Sequence, residues 1–124
     1  MNQKEYIKLA LRSESENYKF IGTGKVTPRI EHAIYGVVTE AGELMGAIKK
    51  AKIYGQDLDR VNLIEEMGDL MWYLALLSDD LGVDFEDLWK ENIEKLEARY
   101  PEKYTDELAI NRNVKNEREI LEKP

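Results

Sequence analysis

Apolar residues recur every three or four positions through much of the chain, and the longest run of that rhythm lies between Pro28 and Pro101, an interval without proline. At about 100° per residue, Ile30, Ile34, Val37, Ala41, Leu44, Met45 and Ile48 fall on one stripe. This predicts an amphipathic helix with Thr27 as its cap and Pro28 as its first residue, fading near Tyr54-Gly55. A second helix is expected from Asp57 or Asp59 to Leu81-Gly82, with Leu63, Met67, Leu70, Leu74, Leu77 and Leu81 along its centre line. Its stretch 70–77, LMWYLALL, is apolar on every face, so it is expected to be surrounded by other helices or by a partner chain. Asp84 is expected to cap a further helix through Arg99, carrying Phe85, Leu88, Trp89, Ile93 and Leu96 and ended by Pro101.

A helix near residues 3–16 and a short polar one after Thr105 complete the expected architecture, which is all-α with next to no strand. We expect one domain over residues 1–124, a four- to five-helix, bundle-like fold whose two long helices pack antiparallel across a short connection and which assembles as an oligomer. Residues 18–27, with two glycines, are the expected mobile loop. Gly36, Gly42, Gly46 and Gly68 fall inside helices at a cost of about 1 kcal/mol each relative to alanine. The one-turn spacing of Gly42 and Gly46 predicts a close helix–helix contact there, within the chain or across a dimer.

Composition narrows the chemistry. With 25 acidic against 18 basic residues, a formal net charge of -7, the surface is unsuited to a nucleic-acid polymer. No run approaches the roughly 20 apolar residues that cross a bilayer, and the N-terminus lacks the apolar core of a signal peptide, so no membrane partner and a cytoplasmic location are expected. The absence of cysteine removes disulfides, thiolate nucleophiles and sulfur-ligated metals, and the single histidine, His32, leaves a histidine-rich site without ligands. Oxygen donors remain, and they suit hard cations such as magnesium or manganese.

Two acid pairs supply those donors. Glu40 and Glu43 sit three apart on the first long helix, and Glu66 and Asp69 repeat the spacing on the second. Each pair lies about 90–120° from the centre of its apolar stripe, at the border of the packing face. Antiparallel packing can bring all four carboxylates to one point, where their repulsion calls for a divalent cation. Either pair alone also fits a solvated helix face. A di-iron bundle, which needs two Glu-x-x-His pairs, is excluded by the histidine count.

Around these acids the chain resembles the all-α nucleoside triphosphate pyrophosphohydrolases, in particular the small MazG-like proteins. The family pattern Glu-x-x-Glu, spacer, Glu-x-x-Asp is filled by Glu40, Glu43, Glu66 and Asp69. The stretches HAIYGVVTEAGELMGAIKKAKIYG, LDRVNLIEEMGDLMWYLALL and NIEKLEARYPEKYTDELAINRNVKNERE carry the likeness over roughly residues 25–122. The resemblance implies Mg2+-dependent hydrolysis, with Mn2+ as substitute, of a (d)NTP to the (d)NMP and pyrophosphate by water attack at the α-phosphorus. Such activity cleans the nucleotide pool. The four carboxylates would be the metal ligands and catalytic groups, in a homodimer or homotetramer.

For the substrate, the resemblance points to Asn92 and Lys95 as contacts to the phosphates. Arg99, one turn further, joins the same polar ridge or serves the helix C-terminus instead. Tyr73, one turn beyond Asp69, either stacks on a base or packs in the core. His32, two turns before Glu40, either reaches substrate or is a hydrogen-bonded structural residue, and Lys50 has the best angle toward the acids among Lys49, Lys50 and Lys52. Two other functions fit the pattern: a non-catalytic helical dimerisation or regulatory module, and (p)ppGpp hydrolysis at the same site.

Overall fold

In the computed structural model, which describes residues 1–123, every regular element is helical; the last residue of the expected domain, Pro124, lies outside the described range. Six α-helices occur among the described residues: α1 (Gln3–Ala10), α2 (Pro28–Lys52), α3 (Arg60–Leu81), α4 (Phe85–Arg99), α5 (Asp106–Ile110) and α6 (Val114–Leu121). One 3₁₀ turn, Leu11–Ser13, follows α1 where a longer first helix was expected, and the short C-terminal helix is in fact two. Residues form two compact units, Met1–Asp84 and the remainder from Phe85.

The caps explain the boundaries. Asn2 and Glu5 exchange side-chain to backbone bonds of 2.9 Å at the start of α1. Thr27 Oγ1 accepts from the Ile30 amide at 3.1 Å, just ahead of Pro28. Asp59 accepts from the Asn62 amide at 3.0 Å and so fixes where α3 begins. Gly82 ends α3 with φ 71°, a left-handed conformation that favours glycine.

In the first unit, α2 packs antiparallel on α3. Thr27 and Arg29 at the start of α2 meet Asp79 and Asp80 at the end of α3, and Gly36 meets Tyr73 further along. The seam residues of α2 are Ala33, Gly36 and Ala47, all buried, with Val37, Glu40 and Leu44 half-buried between them. This differs from the expected stripe: Ile34, Ala41, Met45 and Ile48 face outward, Met45 with 70% exposure. The helix has two apolar edges, and the small-residue edge wins the contact because it allows the closer approach. Likewise Met67 and Leu81 of α3 are exposed, whereas none of the residues 70–77 is, and Leu76 is fully buried.

That approach is closest at Gly36, where a Cβ would stand 2.1 Å from the Tyr73 ring. At Gly42 and Gly46, where the contact was expected, a Cβ meets nothing within 4 Å, so those glycines do not serve packing inside the chain. The α1 end is tied in by Trp72, whose indole N–H donates to Ala10 O at 2.7 Å and to Ser13 Oγ at 2.9 Å. Arg29 closes the open end of the hairpin, where α2 begins and α3 ends. It donates twice to Glu14 at 2.8 Å and pairs with Asp79 at 2.8 Å, which anchors the connection between α1 and α2.

In the second unit α6 packs on α4. Its buried acid, Glu117, is bonded by Arg99 and by Arg112, the latter at 2.7 Å. The two guanidiniums hold the Glu117 carboxyl below the usual range, Arg99 first. Leu88, Trp89 and Ile93 of the expected α4 stripe are exposed, while Phe85 is buried.

Gly36→Ala is expected to lower stability by about 1–3 kcal/mol, because displacing the tyrosine ring outweighs the gain in helix propensity. Gly42→Ala, with open space at its Cβ, is expected to cause no loss. Urea denaturation of the two variants measures the difference, and equal stabilities would refute the packing argument.

Candidate metal centre

Because Glu40 lies in the seam between Ala33-Gly36 and Leu44-Ala47, its carboxylate is directed at α3 rather than at solvent. Glu66 and Asp69 answer from α3, and oxygens of Glu40, Glu66 and Asp69 all lie within 4.8 Å of one another. Glu40 and Glu66 are half-buried and Asp69 is exposed, so the cluster opens on one side. The Glu40 carboxyl is raised from its ordinary pKa by burial, then by a hydrogen bond shared with Glu66 and by the charges of Glu66, Asp69 and Glu43. Asn62 Nδ2 donates to Glu66 Oε1 at 2.9 Å.

The fourth expected acid stands apart. Glu43 is exposed and lies outside the close trio. It lines a cavity of about 510 Å³ together with Lys50, Gln56 and Asn62. Lys50 thus shares this cavity with Glu43 and with Asn62, which is bonded to Glu66 of the trio.

The expected aromatic and imidazole contributors are packed together. Tyr73 lays its ring on Gly36 and makes edge contacts with His32 (centroids 5.6 Å apart) and Trp72 (5.1 Å). Of the two readings for Tyr73, the packing one is visible here. His32 Nδ1 is 3.3 Å from the Tyr18 hydroxyl, which itself donates to Glu14 at 2.9 Å. With the phenol's one proton given to Glu14, His32 Nδ1–H is the donor in that contact. Burial and the bond to Glu14 push the Tyr18 phenol up to about 12.

Asn92, Lys95 and Arg99 share α4 in the second unit; Asn92 is exposed, Lys95 half-buried, and Arg99 is engaged by Glu117. Two residues near the acids escaped the sequence reading. Asn62 carried a usable signal, a polar amide four residues before Glu66 and so on the same helix face. Tyr6 carried none, since its place near Asp69 arises from the packing of α1 on α3; burial and then the Asp69 charge raise its phenol pKa.

Three carboxylates with an open side suit a hard divalent ion that keeps some of its waters. The donor set contains no sulfur or imidazole, which favours magnesium or manganese over softer metals. The raised Glu40 pKa comes first from burial and then from these acidic neighbours, whose mutual repulsion a bound cation would relieve.

The sequence pattern of the MazG nucleotide pyrophosphohydrolase domain matches residues 29–104. The chain is 33% identical over 75 residues to the Gene 37 protein of Mycobacterium phage L5, a match covering 56% of this chain and 65% of that protein. It is 38% identical over 74 residues to the uncharacterized protein YvdC of Bacillus subtilis (strain 168), covering 52% and 69% of the two chains. No solved structure matches it.

Magnesium at about 100 times its Kd is expected to stabilise the protein by about 2.7 kcal/mol through binding to the folded state alone. Glu40→Gln is expected to lose most of that gain while staying folded in EDTA. Thermal unfolding with and without the metal measures both.

Proposed function

This chain belongs to the MazG nucleotide pyrophosphohydrolase family, and from that premise we propose that it hydrolyses a nucleoside triphosphate to the monophosphate and pyrophosphate. The observation that carries the reading is the convergence of Glu40, Glu66 and Asp69 in the α2–α3 seam, inside the matched residues. The proposed ion is Mg2+, with Mn2+ as substitute. When bound, it supplies charge neutralisation at the phosphates and a lowered pKa for a coordinated water.

The chain's own residues do the rest. Glu40, Glu66 and Asp69 hold the ion, and Glu43, beside the cavity with Lys50, completes the acidic rim. Lys50, Asn92 and Lys95 are the proposed phosphate contacts. Arg99, anchored by Glu117, contributes charge on the same helix as Asn92 and Lys95. A rigid α2–α3 seam keeps the carboxylates in place before substrate arrives, which limits reorganisation during the reaction. The retained acid trio favours turnover over a purely regulatory module. Hydrolysis of (p)ppGpp would use the same groups, and the substrate panel separates the two.

An oligomer is part of this reading. Ile34, Val38, Met45 and Ile48 on α2 and Val61, Ile64 and Met67 on α3 are exposed, Val61 at 78%. Seven such side chains on one hairpin exceed what an isolated surface ordinarily leaves in water. Among the described residues no helix is long and apolar enough to cross a membrane. We propose a homodimer or homotetramer in the cytoplasm.

Incubating the protein with Mg2+ and a panel of (d)NTPs and (p)ppGpp should release pyrophosphate from at least one triphosphate. Glu66→Gln and Asp69→Asn should each cut the rate by more than about 100-fold, since they remove direct ligands whose supporting residues alone are commonly worth 10–100-fold. No pyrophosphate from any nucleotide, with folded and metal-bound protein, would overturn the assignment. Light scattering at micromolar concentration should give at least twice the 14.4 kDa chain mass; a monomer would remove the oligomer.

A further inference from the structure

We propose that Asn62 is a positioning residue for the metal centre, holding the Glu66 carboxylate in the orientation that receives the ion. This rests on the reading of Glu40, Glu66 and Asp69 as ligands, and it adds to that site a residue outside the four-acid pattern.

The geometry is specific. Asn62 lies one turn before Glu66 on α3, and its Nδ2 donates to Oε1 of Glu66 at 2.9 Å. Its own backbone is held in turn, because the Asp59 cap accepts the Asn62 amide at 3.0 Å and the Leu63 amide donates to Asp59 O at 3.1 Å. Asn62 is half-buried and α3 is fixed there by its cap, so the side chain has few alternatives. A chain of contacts thus runs from the α3 N-terminus to a carboxylate oxygen.

The chemistry also favours an amide at this place. Glu66 Oε lies within 4.8 Å of carboxylate oxygens of Glu40 and Asp69, so a neutral donor helps keep it beside two other acids. Asn62 supplies a neutral N–H, which fixes one oxygen without competing with the ion as a cation would. Lysine in the same place would neutralise the acid and weaken metal binding, and aspartate would add to the repulsion. Hydrogen bonds of this outer kind orient ligating carboxylates, and their loss typically costs 10–100-fold in metal affinity.

The test uses the full chain and Mn2+ alone, titrated by calorimetry or by its paramagnetic resonance signal. Asn62→Ala should weaken Mn2+ binding by 10–100-fold, while urea denaturation in EDTA shows no loss of stability. Asn62→Gln, which keeps the amide and can span the same helical turn, should recover most of the affinity. Binding by Asn62→Ala within threefold of the unchanged protein would overturn the role of Asn62 and leave the metal centre standing, as would lost EDTA stability with unchanged affinity. Failure of the unchanged protein to bind Mn2+, or unaltered binding by Glu66→Gln, would overturn the metal centre and this proposal with it.

Discussion

A tyrosine ring resting on a glycine sets the distance between the two long helices, and the site depends on that distance. With any side chain at residue 36, the Tyr73 ring would have to move, since a Cβ there would stand 2.1 Å from it. One turn along each helix from this contact are Glu40 and Asp69, with Glu66 a further turn away. The packing that removes apolar surface from water therefore also places three carboxylates within 4.8 Å of one another.

The cost of that arrangement shows in the electrostatics. Glu40 is pushed toward its neutral form by burial and by its acidic neighbours, and Asn62 gives Glu66 a donor. At the opposite end of the hairpin the problem is solved with protein charge: Arg29 serves Glu14, Asp79 and Asp80 together. Glu14 is held below the usual carboxyl range by the Arg29 hydrogen bond, the reverse of Glu40. Glu14, Asp79 and Asp80 share the Arg29 guanidinium where α1 connects to α2, whereas Glu40, Glu66 and Asp69 bring their oxygens within 4.8 Å of one another in the seam. Glu117 in the second unit resembles Glu14, clamped by Arg99 and Arg112.

Much of this was legible in the residues. The limits of α2, α3 and α4 follow from Thr27-Pro28, Asp59, Gly82 and Pro101, because caps and breakers act over a few residues and need no tertiary context. The acid pairs were legible for the same reason, as spacing on a helix. Less legible was the face each helix turns inward. Periodicity favoured Ile34, Met45 and Ile48 for their hydrophobicity, yet the seam took Ala33, Gly36 and Ala47. Size decides how near two helices come, and a stripe scored by hydrophobicity alone is blind to it.

From the sequence alone came the helical class, the metal-favouring donor set and the two acid pairs, since each depends on residue type and on helical spacing of about 3.6 residues per turn. Tertiary structure decided which acids meet. Glu40, Glu66 and Asp69 converge and Glu43 turns to the cavity with Lys50, because register and rotation of α2 against α3 are set by the Gly36–Tyr73 contact. It also decided that His32 and Tyr73 join a packed aromatic group and that Asn62 reaches Glu66. Those outcomes are distances between side chains, and distances across a seam follow from packing rather than from order along the chain.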